Sequence, residues 1–172
     1  MRALPVLSAA LALTALSTAF AARSPANLEP FTPEQVCVGR AEVLLRGQPD
    51  AAMTKVAQER LTSLGASLGL GGGQNSTACP AWLAFRAEAE SDGNGRLVYH
   101  ATLRLVTPGL QTRALENLRS ESFDYGGGFE DVTLWDRTHA NVAFDAGNLG
   151  FRLGAEVVSQ MGDFSADWKK TH

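Results

Sequence analysis

The sequence predicts an α+β domain, a two-layer sandwich whose antiparallel or mixed sheet of about four to five strands is covered on one face by two amphipathic helices. Three observations lead there. Apolar and polar residues alternate with period two over residues 36–46, 83–90 and 96–107. Residues 53–64 and 149–168 instead repeat apolar side chains at helical steps. Gly, Pro, Asn or Asp punctuates the intervals between these runs.

Ahead of the domain, Met1–Ala21 reads as a cleavable secretory signal peptide. Arg2 supplies the charge, Ala3 to Leu16 the apolar run, and Ala19 and Ala21 the small residues three and one before the break. The run is shorter than the roughly 20 apolar residues of a membrane anchor. The first cysteine is Cys37, which excludes acylation beside the cleavage site, and no later stretch is apolar enough to span a bilayer. Residues 22–35 hold three prolines and no periodic face, which predicts an extended lead-in, and 36–172 form one domain.

Only Arg2 of the 15 basic residues lies in the leader, so 14 bases face 18 acids and the mature chain has a formal charge of −4. Binding to nucleic acid or to an anionic membrane rests on basic surface, and neither is expected. Export places Cys37 and Cys79 in an oxidising compartment, where they are expected to pair. A thiolate metal site needs further ligands at short spacing, and none flank either cysteine.

The first strand, 36–46, sets Cys37, Gly39, Ala41, Val43 and Leu45 on one face, with Arg40, Glu42 and Arg46 on the other. Asp50 then caps a helix with a stripe of Met53, Val56, Ala57, Leu61 and Leu64, and Gly65 stops it. Residues 65–77 are rich in Gly, Ser and Asn and are expected to form a mobile loop. The second strand carries Leu83, Phe85, Ala87 and Ala89 inward, and the third carries Leu97, Tyr99, Ala101, Leu103 and Leu105. Because both apolar sets must face one core, paired residue numbers sum to an even value. A three-residue loop, Gly93-Asn94-Gly95, meets that condition, pairing Asp92 with Arg96, Phe85 with Leu103 and Glu88 with His100. The geometry of a Cys37–Cys79 bridge further requires the first two strands to be near neighbours.

Beyond Pro108 the pattern weakens, with a short helix over Leu110, Ala114, Leu115 and Leu118 and an aromatic, glycine-rich loop over 123–129. Residues 131–137 form a further strand, with Val132, Leu134 and Asp136 alternating against Thr133, Trp135 and Arg137, and 140–144 pair back on it. The final helix buries Leu149, Leu153, Val157, Met161, Phe164 and Trp168, with Gly150 and Gly154 allowing close approach near its start. Lys169 and Lys170 complement its dipole.

Four patterns bear on chemistry. Gly65-Ala66-Ser67-Leu68-Gly69 fits G-x-S-x-G, and Asp136 and His139 follow in the order of a hydrolase triad. Such a serine needs a strand before it and a helix after it, whereas Ser67 follows a helix stop. His139 with Asp136 or Asp145 offers metal ligands at unspecific spacing; of the other histidines, His100 lies on an exposed strand face and His172 ends the chain. Gly69, Gly71, Gly72 and Gly73 lack the Lys-Ser or Lys-Thr of a phosphate loop, and Asn75-Ser76-Thr77 is a sequon that matters only in a eukaryotic secretory pathway. Phe123, Tyr125 and Phe129, beside Asp124, Glu130 and Asp131, form the expected partner surface, with a basic or hydroxyl-bearing partner suited to those acids.

With no cofactor fingerprint, these features indicate an exported, non-enzymatic domain that binds or scaffolds another envelope or secreted component. A small serine hydrolase using Ser67, Asp136 and His139, or a small metal-binding protein, are the alternatives.

Overall fold

The computed structural model describes residues 25–71, 79–107 and 132–172. The predicted helix near 110–118 and the aromatic loop of Phe123, Tyr125 and Phe129 lie outside these. The elements run β1 (Val36–Leu45), β2 (Gln48–Pro49), α1 (Ala51–Ser67), β3 (Ala81–Ser91), β4 (Leu97–Thr107), β5 (Val132–Ala143) and α2 (Ala146–Thr171). The sheet is mixed, in the order β2-β1-β3-β4-β5, with β1 and β3 parallel across the α1 crossover and β3, β4 and β5 antiparallel. Both helices pack on one face, as the two-layer α+β reading expects.

The parity argument for the hairpin holds throughout. Phe85 pairs with Leu103 and Glu88 with His100, and the Asp92 amide donates to the Arg96 carbonyl at 3.0 Å. Gly93 and Gly95 take φ of +80° and +85°, a region that costs glycine little. The core consists of Leu83, Phe85, Leu103, Leu105 and Trp135 from the sheet, Ala57 and Leu61 from α1, and Leu149, Leu153, Val157, Met161 and Phe164 from α2.

In β1 the simple alternation fails. A register shift between Val38 and Ala41 reverses which parity faces the helices. Val36 and Val38 oppose Ala81 and Leu83 and are buried, and beyond the bulge Ala41 and Val43 oppose Phe85 and Ala87. Cys37 therefore opposes Trp82 and does not share the core parity expected of it. The bridge to Cys79 is nevertheless present, with Cα atoms 5.8 Å apart, and β1 and β3 are indeed adjacent.

Helix α1 begins as expected, with Asp50 accepting from the Met53 amide at 2.9 Å. Its stop lies four residues beyond the expected one. Gly69, at φ +72°, gives a Schellman ending in which the Leu70 amide donates to Gly65 O and the Gly69 amide to Ala66 O. Gly65 serves packing instead, because a Cβ there would collide with Val38 Cγ2. Val56, expected inside, is 43% exposed, and Ala57, Leu61 and Gly65 form the buried line.

Over its described residues, 25–35, the lead-in is not extended throughout. Pro25–Asn27 and Pro33–Gln35 are 3-10 turns, and Leu28 is fully buried. Residues 132–143 are likewise one continuous strand rather than a strand and a return, since Arg137-Thr138-His139-Ala140 contains no turn former. A bulge leaves Leu134 as the extra residue and sends Trp135, not Leu134, to the helix face. At the start of α2, Gly150 approaches Met53, whereas Gly154 meets nothing within 4 Å and Trp168 is only partly buried.

Two tests follow from this packing. Gly65→Ala is expected to cost about 1–3 kcal/mol through overpacking, and Val38→Ala to recover most of that loss, measured as a double-mutant cycle in denaturant. Reduction of Cys37–Cys79 is expected to lower stability by about 4 kcal/mol on the chain-entropy account, and non-reducing peptide mass spectrometry should recover no free thiol.

Candidate functional site

Two features of the β4–β5–α2 side draw attention: a polar stripe along α2 and the outer edge of β5. The stripe follows from the two periodicities. Odd residues of β5 point at the helix layer, and Glu156, Gln160, Asp163 and Asp167, spaced four, three and four apart, lie beside the apolar stripe of α2. Trp135, Arg137 and His139 meet them.

His139 Nδ1 lies 2.7 Å from Glu156 Oε2, and its Nε2 accepts from Arg137 Nε at 3.2 Å. Guanidinium can only donate, so Arg137 offers a donor to one ring nitrogen while the other faces the Glu156 carboxylate. Arg137 Nε also pairs with Asp163 at 2.8 Å. The other Glu156 oxygen accepts from Tyr99 OH at 3.0 Å. Burial, and next the bond to Glu156, push the Tyr99 phenol up to about 12. Further along, Trp135 Nε1 donates to buried Asp167 at 3.1 Å, and Lys170 Nζ reaches the other Asp167 oxygen at 2.7 Å. Gln160, fully buried, donates to the Ala101 carbonyl at 2.8 Å, and its Oε1 accepts no hydrogen bond among the described residues.

The residues of the hydrolase pattern are not brought together. Ser67 Oγ donates to the Leu64 carbonyl at 2.7 Å in the last turn of α1. Asp136, of opposite parity to His139, opposes Arg104 on the far face of the sheet. Asp145 accepts from the Asn148 amide as N-cap of α2, and among the described residues no three His, Cys, Asp or Glu side chains are grouped to hold a metal. His100 is 3.4 Å from Glu88 on the exposed face, and His172 stacks on Trp168. Sequence reasoning named His139 with the wrong acids. The polar residues Glu156, Gln160, Asp163 and Asp167, at heptad-like spacing beside an apolar stripe, were the signal for its true partners.

The two edges of the sheet differ sharply. On β1, Gly71 bridges Cys37, with its amide donating to Val36 O and its carbonyl accepting from Val38 N. Gln58 of α1 accepts from Ala41 N at 2.7 Å and donates to Gly39 O at 3.1 Å, and Thr54 accepts from Val43 N at 3.0 Å. These bonds and the short β2 close that edge. A shallow groove of about 660 Å³ beside it is lined by Arg40, Lys55, Glu59 and these same two capping side chains.

On β5 the parity of the hydrogen bonds can be followed across the sheet. The Asp92–Arg96 bond sets even residues of β3 and β4 against each other, so odd residues of β4 and β5 exchange the next set. Even residues of β5 consequently aim N–H and C=O outward. The Val142 amide is taken by Asn141 Oδ1 at 2.8 Å, and the carbonyl of the bulged Leu134 by Asn27 Nδ2 at 2.7 Å. Between them, the backbone groups of Asp136, Thr138 and Ala140 have no partner among the described residues.

No protein-family model, curated protein or solved structure matches the chain.

The stripe makes one clear demand on pH. The Tyr99 phenol, raised above its unfolded value of about 10, contributes stability that is complete below that value and is lost as pH rises through about 12. Tyr99→Phe should remove this alkaline component from the stability–pH curve and one late tyrosinate step from the ultraviolet titration.

Proposed function

We propose that this protein is an exported, non-enzymatic domain that binds or scaffolds another envelope or secreted component, and that it does so by accepting a strand along β5. The observation that carries this reading is the contrast between the edges: one is closed by dedicated side chains, while the other presents consecutive outward peptide groups with no partner among the described residues, on a strand of twelve residues. Open edges of that kind are templates for strand addition. The signal-like leader supports export, and the disulfide suits an oxidising compartment. Among the described residues no helix is long and apolar enough to cross a membrane. Both ring nitrogens of His139 and the hydroxyl of Ser67 are engaged in bonds that hold the fold, which favours binding over hydrolysis.

Ala140→Pro removes an outward N–H without removing a bond to β4, and edge strands tolerate proline at such positions. The variant should keep its melting temperature within a few degrees and lose capture of the native partner. Unimpaired capture would place the contact elsewhere. A broad serine-hydrolase probe should leave the protein unlabelled; covalent labelling of Ser67 would return the hydrolase reading.

A further inference from the structure

We infer that the strand accepted by β5 is the β5 of a second copy of this chain, paired antiparallel about a two-fold axis at Thr138; this rests on the reading of β5 as the docking edge. The groups without a partner among the described residues are symmetric in the one way that self-pairing requires. Asp136, Thr138 and Ala140 point outward, and the Val142 amide and the Leu134 carbonyl, which bound them, are already satisfied. Pairing Asp136 with Ala140 of the other copy and Thr138 with its own counterpart satisfies the six open N–H and C=O groups on each chain with one register. Such a contact is isologous and closes after two copies.

Side-chain charges agree with that register. On the helix side, Arg137 of each copy comes opposite His139 of the other. Two carboxylates of α2 flank that imidazole, Glu156 at 2.7 Å and Asp163 at 3.9 Å, so each guanidinium approaches an acid-rich cluster of the other copy. On the other face Asp136 meets Ala140 and Thr138 meets Thr138, and no like charges oppose. Residues 132–143 contain neither proline nor lysine, the residues that commonly block an edge.

Sedimentation velocity of the oxidised mature protein, over a wide concentration range, should show a monomer passing to a dimer. Ala140→Pro should raise the dissociation constant at least about tenfold, and Thr138→Lys, which sets two ammonium groups across the axis, should do the same if the proline variant fails to fold. Thr138→Cys should oxidise to a covalent dimer, because a hydrogen-bonded antiparallel pair holds its Cα atoms about 5.5 Å apart, within disulfide reach. Thr133→Cys, which does not face itself in this register, should not. A wild type that stays monomeric throughout, with Ala140→Pro still abolishing capture of another protein, overturns the second copy while leaving the docking edge standing. A dimer indifferent to both edge variants overturns the assignment to β5.

Discussion

The close passage of Gly39 over β3 is the constraint from which much of this domain follows. A Cβ at Gly39 would stand 2.9 Å from the Leu83 carbonyl, so only glycine lets β1 slip its register there while remaining paired. The slip decides what each half of β1 can do. Before it, Val36 and Val38 fill the core while Cys37 turns away toward Cys79; after it, Ala41 and Val43 fill the core. The peptide groups freed around the slip, Gly39 O and Ala41 N, are the two that Gln58 serves with both ends of its amide. One backbone irregularity thus fixes the disulfide, the seat of α1 and the closure of an edge.

Against that closed edge, β5 reads as a deliberate asymmetry. Its inward side is committed: Arg137 and His139 are bound by carboxylates of α2, and Trp135 by Asp167. Its outward side carries three consecutive even-numbered residues whose backbone groups have no partner among the described residues. On the proposed reading, chemistry-bearing side chains build the fold and the backbone would carry the recognition. An interface of that kind would depend on strand geometry, not on a motif, and composition and spacing do not report strand geometry.

Where one physical rule decided the outcome, the sequence was legible. Hairpin register followed from parity alone, and the adjacency of β1 and β3 followed from the reach of a disulfide. The failures share a cause. Bulges at Gly39 and Leu134 reverse parity without any change in composition, so Cys37 was set on the core face and the alternation of β5 was carried past its bulge. Gly65 and Gly69 are equally plausible helix stops by residue type, and only the contact with Val38 separates them. His139 stood out, but its partners Glu156 and Asp163 lie on an element whose placement beside β5 no local pattern encodes.

The polar stripe of α2 has a consequence for uniqueness. An apolar stripe alone tolerates a helix rolling a little about its axis, because one aliphatic contact replaces another at small cost. Glu156, Gln160, Asp163 and Asp167 remove that tolerance, since each has a particular donor or acceptor at a particular height along β4 or β5. A roll by one residue, about 100° on a helix, would carry these polar side chains away from their partners on β4 and β5. The stripe works as a key cut along the shaft of the helix, so that the last element of the chain enters the sheet in a single orientation.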